Sequence, residues 1–272
     1  MTNGHVVWII NIGNELLLGT TINTNGSWLA RKFSFLGFKV ARIIVVPDEC
    51  DDLASELFRA LSEKVKIVIT TGGLGPTQDD KTLECISEAL KRPLELNNEA
   101  FQLISEFYKS KGLELTTHRI KMAYMPRGST VLRNPIGAAP GAKITHEDTI
   151  IYTLPGVPSE MKAMFENHIE PELRSMVKNI CIKEETIIIK NVPESALAPY
   201  LAKISKKHPY LYIKSHPKGH EHSKPLIHVQ IWGRAKECED ALKGISDAIK
   251  ELSKVAAMLQ GELLWEGVEE KL

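Results

Sequence analysis

The chain has 272 residues, enough for one large domain and a smaller one, and its 34 basic and 34 acidic side chains give a formal net charge of zero. A neutral chain lacks the overall basic field that attracts nucleic acid or an anionic membrane, so neither partner is expected. No apolar run approaches the ~20 residues that span a bilayer, and the first residues lack a secretion-signal pattern. We therefore expect a cytoplasmic protein.

The cysteines are spread along the chain and form no CxxC pair; they are Cys50, Cys85, Cys181 and Cys238. Structural zinc sites and disulfide frameworks use closer, patterned spacing. The expectation is therefore reduced, buried thiols.

Strands and helices alternate in the first half of the chain. Apolar runs predict strands at 5–12, 38–46 and 65–71, and helical spacing of apolar residues predicts helices at 22–36, 51–64, 79–91 and 97–111. Such alternation requires right-handed crossovers and gives a parallel sheet covered by helices.

The pattern changes near residue 130, where short strand-like segments are separated by turn residues. These segments are 129–133, 141–145 and 149–154, and a closing helix at 157–176 is interrupted near Pro171. They predict an antiparallel excursion before the last strand returns to the sheet. Residues 1–176 are thus expected to form an α/β domain of three αβα layers with a mixed sheet.

A second unit is predicted at 177–258 as a small α+β domain. Its pattern is strand, helix, two strands and a long helix, the last at 235–259. The acidic tail at 259–272 is expected to be peripheral.

The most informative stretch is Thr70–Thr82, TTGGLGPTQDDKT, which follows a buried strand. Three glycines within four positions allow backbone N–H groups to approach an oxyanion closely, and a following helix N-terminus would add positive charge. Ligands of open α/β sheets bind beyond the carboxyl ends of the strands, where this loop must lie. The alternative is a plain strand-to-helix turn capped by Thr77 or Asp79.

Acidic residues beside this loop predict a metal ion. Asp79 and Asp80 would repel a bound phosphate unless a divalent cation bridged carboxylate and phosphate oxygens. Asp48 follows another strand and could face the same crevice, although Pro47-Asp48 is also a common turn former.

Three further loops are candidates for ligand contacts. Gly13-Asn14-Glu15 follows the first strand, and Leu154–Glu160 is a second strand-to-helix turn that could offer N–H groups. Glu15 could equally be a helix-start carboxylate, and Ser159 or Pro158 could simply open a helix. Asn134 and Gly137 lie in a loop that could clamp a base or sugar.

A histidine-rich segment, His216–His222 with His228 beyond, raises the possibility of zinc or nickel binding. It lies in a hairpin-like connection without cysteine or helical spacing, which favours a solvated loop. The lysines of this unit could contact RNA, but no Gly-x-x-Gly loop supports that function.

Four ordered motifs resemble the CinA family of competence- and damage-inducible proteins. They are Gly13–Gly19, Gly72–Thr82, Asn134–Gly141 and Leu154–Met161. The resemblance covers roughly residues 5–176 and implies a molybdopterin-binding (MoaB/MogA-like) fold. The second unit is similar to that family's small KH-type middle domain. The larger relatives carry a deamidase domain that is not expected here.

The resemblance implies an ADP-ribose pyrophosphatase activity that yields AMP and ribose 5-phosphate. It also implies a divalent metal, Mg²⁺ or Co²⁺, with K⁺ as a candidate second cation, and a homodimer. The expected catalytic residues are Asp80, Asp48 and Asp79, with Asp79 and Asp80 as metal ligands. The expected substrate contacts are Gly13, Asn14, Glu15, Thr71, Gly72, Gly73, Gly75, Thr77, Asn134, Gly137, Gly156, Ser159 and Glu160.

Departures from the family pattern leave alternatives open. His118 and Met122 stand where many members have Asn and Gln, and Ala138 stands where threonine is frequent. The first alternative is molybdopterin binding or adenylyl transfer in molybdenum cofactor synthesis. Leu74 argues against it, because the related adenylyltransferases have threonine at this position of the glycine loop. The second alternative is a non-enzymatic nucleotide-binding module.

Overall fold

The computed structural model describes residues 6–177, 180–218 and 225–265. Within these residues the chain separates into two compact units. The first contains the chain up to Ser34 together with Phe38–Met176, and the second contains Phe35–Gly37 and the chain from Val177.

The first unit is built on a six-stranded sheet of order β2-β1-β3-β8-β7-β6. Its strands are β1 (Val6–Ile12), β2 (Lys39–Val46), β3 (Ile67–Thr71), β6 (Thr130–Leu132), β7 (Gly141–His146) and β8 (Thr149–Leu154), and a separate two-stranded sheet pairs β4 (Leu94–Leu96) with β5 (Tyr124–Pro126). The four strands β2, β1, β3 and β8 run parallel, whereas β7 pairs antiparallel with β8 and β6 pairs antiparallel with β7. The predicted mixed α/β sheet and its antiparallel excursion are confirmed.

Helices accompany these strands in the predicted alternation. They are α1 (Asn14–Leu17), α2 (Thr24–Phe35), α3 (Cys50–Ser62), α4 (Thr82–Ala89), α5 (Asn98–Ser110), α6 (Thr117–Lys121), α7 (Pro158–Met164) and α8 (Glu170–Met176). The short elements α1, α6, β4 and β5 were not predicted, because segments of three to five residues carry too little periodicity.

The central strands are apolar because both faces of the sheet are covered. Trp8 and Ile10 of β1 join the large core on one face, and Ile9 points to the other face, where it is also fully buried. A strand that is buried on both faces must be apolar at every position, which explains the uninterrupted run that predicted β1.

The closing helix is interrupted as predicted, but the interruption lies before Pro171. A π-helical turn at Phe165–Ile169 separates α7 from α8, so that Pro171 stands in the first turn of α8. Proline is tolerated there because the first N–H groups of a helix have no partner within it.

The second unit is an antiparallel sheet of order β10-β11-β9-β12 with two helices. Its elements are β9 (Cys181–Lys190), α9 (Glu194–Lys207), β10 (Leu211–Pro217), β11 (Leu226–Ala235), α10 (Cys238–Met258) and β12 (Glu262–Trp265). Alternate residues of β11, namely Ile227, Val229 and Ile231, pack with both helices into one core. The KH-type likeness of this unit stays a prediction.

The C-terminal tail is not wholly peripheral, contrary to the prediction. β12 pairs antiparallel with β9 over four residues and so extends the sheet by one edge strand. The acidic composition of the tail suggested that it lies apart from the fold. The four residues Glu262–Trp265 are nevertheless enough to form an edge strand. The centre of the histidine-rich segment, residues 219–224, lies outside the described residues.

The prediction of reduced, buried thiols is wrong. Cys50 is bonded to Cys85, Cys181 is bonded to Cys238, and Cys85 alone among the four is buried. In the second unit Cys181 pairs in register with Ala235, three residues before Cys238 begins α10. The topology therefore joins cysteines that the chain separates by 35 and 57 residues.

No helix in the described ranges is both long and apolar enough to cross a bilayer.

The Cys50–Cys85 disulfide should stabilise the first unit. Closing a loop of this length removes chain entropy from the unfolded state worth about 4 kcal/mol. We expect Cys50→Ala/Cys85→Ala to lower the free energy of unfolding of this unit by an amount of that order, measured by guanidinium denaturation. Reductant should lower the free energy of unfolding of this unit in the wild type by a similar amount. It should leave the free energy of unfolding of a variant without cysteines unchanged. An effect of reductant on that variant, or none on the wild type, would contradict the prediction.

Candidate functional site

Loops at one edge of the large sheet surround a cavity of about 660 Å³. Because β1, β2, β3 and β8 are adjacent and parallel, the loops that follow them meet at this edge. Eleven of the predicted site residues line the cavity: Gly13, Asn14, Glu15, Asp48, Gly72, Gly73, Gly75, Asp79, Asp80, Gly156 and Glu160.

The glycine loop after β3 needs glycine at its first two positions. Gly72 has φ +108°, and a Cβ there would lie 2.2 Å from the carbonyl oxygen of Ile12. Gly73 has φ +65°, and a Cβ there would lie 2.2 Å from the Thr82 Oγ1. Only glycine combines this backbone conformation with so close an approach.

The same loop lines the cavity and has N–H groups that the described protein leaves without an acceptor. The Gly72 N–H donates to the carbonyl of Leu154, at the end of the neighbouring strand β8. Within the described parts of the chain, the N–H groups of Gly73, Leu74 and Gly75 have no protein acceptor. Consecutive N–H groups of this kind form a concave site that suits an anion.

The helix after the loop begins later than predicted. α4 starts at Thr82, with Lys81 as its N-cap, so neither Thr77 nor Asp79 caps it. Thr82 instead ties the loop to the helix, since its Oγ1 donates to the Gly72 carbonyl and its N–H donates to the Gly73 carbonyl. Residues 76–81 form the extra loop, because Pro76 and the polar run behind it favour turns over helix.

Asp80 holds this extra loop together. Its Oδ2 accepts hydrogen bonds from the Thr77 N–H at 2.9 Å and from the Thr77 Oγ1 at 2.6 Å. Lys121 of α6 donates to the Thr77 carbonyl at 2.9 Å. Thr77 does not line the cavity, and its contribution is to hold the Asp80 carboxylate in place through these two hydrogen bonds.

Asp48 joins the loops that follow β1 and β2. Its Oδ2 accepts a hydrogen bond of 2.8 Å from the backbone N–H of Asn14. Asn14 begins the short helix α1, so Asp48 satisfies a donor that the helix leaves unpaired. Glu15 is exposed at the cavity rim with its carboxylate folded over Gly13.

Asn134 and Gly137 lie in the wall between this cavity and a second one of about 280 Å³. Asn134 Nδ2 donates to Glu160 Oε2 at 2.6 Å and to the Ala139 carbonyl, and its Oδ1 accepts from the Gly137 N–H. A Cβ on Gly137 would lie 2.4 Å from the Glu160 carboxyl group, so glycine admits that side chain. Both residues line the second cavity, and Ala138 lines both cavities.

Two other predicted contacts lie elsewhere. Thr71 is buried, and its Oγ1 donates to the Asn11 Oδ1 beneath the cavity. Ser159 is exposed and does not line the cavity, because α7 begins at Pro158 with Val157 as its N-cap. Neither residue touches the space where a ligand would lie.

The side chains that line the cavity carry negative charge. Five carboxylates line it, from Glu15, Asp48, Asp79, Asp80 and Glu160, and no Lys, Arg or His is found among the described lining residues. Carboxylate oxygens are the donors that Mg²⁺ prefers, so the donor chemistry fits a hard divalent cation. Within the described ranges, no three acidic, histidine or cysteine side chains are already gathered as a metal site.

The apolar part of the lining includes Leu74, Tyr108, Met122, Ala138 and Ala139. The sequence analysis named Leu74, Met122 and Ala138 only as departures from the family pattern, and it did not single out Ala139 or Tyr108, which comes from α5. Tyr108 belongs to no recognisable motif, and only its place on a helix that follows the sheet edge could have suggested it. The buried Asn25 was also missed, although its Nδ2 supports the site by donating to the Gly156 carbonyl at 2.8 Å.

Comparisons with known proteins show which family the chain resembles. Residues 8–175 match the family model described as a probable molybdopterin binding domain. A protein of Aeropyrum pernix is 47% identical over 248 residues, which cover 91% of each chain and therefore extend into the second unit. A crystal structure described as the protein CinA with unknown function, from Thermoplasma acidophilum, is 34% identical, covers 63% of this chain and 99% of that one, and has a TM-score of 0.58.

The family match covers more than half of the chain and coincides with the unit that carries the cavity. The parallel strands, the glycine loop and the cavity at their carboxyl ends all lie within it. The chain therefore belongs to the family of the probable molybdopterin binding domain.

Proposed function

We propose that the main cavity binds a phosphate-bearing ligand of the molybdopterin or nucleotide class, with a phosphate at the glycine loop. The observation that carries this proposal is the row of N–H groups at Gly73, Leu74 and Gly75, which have no acceptor in the described chain and line a cavity. Backbone amides bind phosphate oxygens in the same way in glycine-rich loops of other folds.

The size and position of the cavity support a small-molecule ligand. About 660 Å³ lies within the ~300–1,000 Å³ range of ligand pockets. The carboxyl edge of a parallel sheet is where open α/β folds bind ligands. The family description favours a pterin phosphate over ADP-ribose, so molybdopterin binding is the first candidate.

Replacing Gly73 by alanine should abolish much of the phosphate binding. The new Cβ would meet Thr82 and force the loop out of its positive-φ conformation. The loss of one or two charge-assisted hydrogen bonds should weaken binding of molybdopterin or AMP roughly 10- to 100-fold in calorimetric titrations.

Gly128→Ala is the matched control, since Gly128 also has a positive φ of +80° but its Cβ would meet nothing within 4 Å. It should bind both ligands as the wild type does. Equal affinity of Gly73→Ala and Gly128→Ala would show that the phosphate does not use this loop.

A second candidate, metal-dependent hydrolysis of ADP-ribose to AMP and ribose 5-phosphate, is favoured by the five carboxylates of the cavity. A bound diphosphate would be repelled by such a cluster, and a divalent cation would offset that repulsion. Asp79 and Asp80 would hold the metal, which would polarise the phosphoryl oxygen and lower the pKa of bound water. The chain itself would place the diphosphate on its backbone N–H groups.

Asp80→Asn separates hydrolysis from binding. The amide can still accept the hydrogen bonds from Thr77, so the loop should keep its conformation. We expect hydrolysis of ADP-ribose with Mg²⁺ or Co²⁺ to fall on the order of 100-fold while AMP binding is largely kept. The measurement is chromatographic detection of AMP, with the metal present and then chelated.

Asp148→Asn is the control, because Asp148 is an exposed acid in the turn between β7 and β8. Full hydrolysis by Asp80→Asn would remove the assigned role. If the wild type binds molybdopterin tightly and leaves ADP-ribose intact under every metal, the hydrolase candidate fails and the binding proposal stands.

A further inference from the structure

We use the name apolar wall for five of the apolar residues that line the main cavity: Leu74, Tyr108, Met122, Ala138 and Ala139. Leu74, Met122 and Ala139 are buried members of the core of the first unit, and Tyr108 and Ala138 pack against that core. The wall is therefore backed by close-packed side chains.

The Tyr108 ring is fixed in position by its neighbours. The guanidinium of Arg119 lies over this ring, 4.1 Å from the centroid, and is itself anchored by a hydrogen bond to the Glu114 carbonyl. The Phe107 ring meets it edge-on at 5.5 Å. A half-buried aromatic ring that is held by two neighbours and lines a cavity is suited to stack against a flat ligand on the face that Arg119 does not cover.

The rest of the wall offers contact area but almost no hydrogen bonding. Met122 is only 4% exposed and carries a thioether, which is a weak acceptor. Leu74, Ala138 and Ala139 have no polar side-chain atom, so the Tyr108 hydroxyl is the wall's one side-chain donor. A wall of this composition attracts a polarisable ring mainly by dispersion, and its side chains offer one hydroxyl to the hydrogen-bonding edge of a base.

We propose that the apolar wall is a ring subsite, in which Tyr108 stacks on the heterocycle of the ligand while the phosphate lies at the glycine loop. This inference rests on the proposed function, because it uses the same cavity and the same phosphate position. Stacking tolerates any flat heterocycle, so purines that differ only in their hydrogen-bonding edges should bind alike.

The experiment compares AMP with ribose 5-phosphate, which has the same sugar phosphate but no base, by calorimetric titration of the full chain. The wild type should bind AMP at least tenfold more tightly than ribose 5-phosphate, and AMP and GMP within roughly tenfold of each other. Tyr108→Ala should remove most of the AMP advantage and leave ribose 5-phosphate unchanged. Tyr108→Phe, which keeps the ring and removes the hydroxyl, should retain it.

Phe58→Ala is the matched control, because Phe58 is an exposed aromatic residue of α3 that lines neither cavity. It should bind AMP as the wild type does. The ring subsite is overturned if Phe58→Ala loses the AMP advantage, if Tyr108→Ala keeps it, or if AMP exceeds GMP by several hundredfold. Unchanged ribose 5-phosphate binding also shows that each variant is folded. Failure of the wild type to bind either ligand would contradict the proposed function itself.

Discussion

The site depends on a close approach between the loop after β3 and the end of β1. At Gly72 the backbone passes so near the Ile12 carbonyl that no Cβ fits, and at Gly73 it passes equally near Thr82. This approach exists because β1 and β3 are adjacent parallel strands that end at the same edge. The sheet thus holds a turn that requires glycine at both positions, and the turn leaves three successive N–H groups without a protein acceptor.

The acidic residues around this turn have two roles that the structure separates. Asp48 and Asp80 each use one oxygen to brace a loop, through Asn14 and Thr77 respectively. Glu160 is bound by Asn134 and so supports the wall between the two cavities. These side chains still line the cavity, so the same carboxylates that shape the loops make it acidic. An anionic ligand and an acidic lining are compatible when a cation accompanies the ligand, and this links the binding proposal to metal-dependent chemistry.

Much of the fold and part of the site followed from local patterns. Buried parallel strands are apolar at every position and are easily recognised, and loops that follow such strands converge by topology. The glycine string, Asp48, Glu15 and Glu160 were therefore brought together correctly. Patterns failed where long-range packing decides the outcome: Cys181 meets Cys238 only through strand register, and Tyr108 reaches the cavity from a helix without a motif. Thr71 and Ser159 show the opposite error: both were predicted to contact the ligand, but neither lines the cavity. Membership in a motif does not direct a side chain into the cavity.

The central claim is that the amides of the glycine loop bind phosphate, and amide NMR tests it most directly. In a titration of ¹⁵N-labelled protein with AMP, the amide proton signals of Gly73, Leu74 and Gly75 should move downfield as they gain a charged acceptor. Signals of the second unit, including those of Lys203 and Lys206, should stay in place. Saturable binding that shifts the second unit while these three amides remain unchanged would contradict the account.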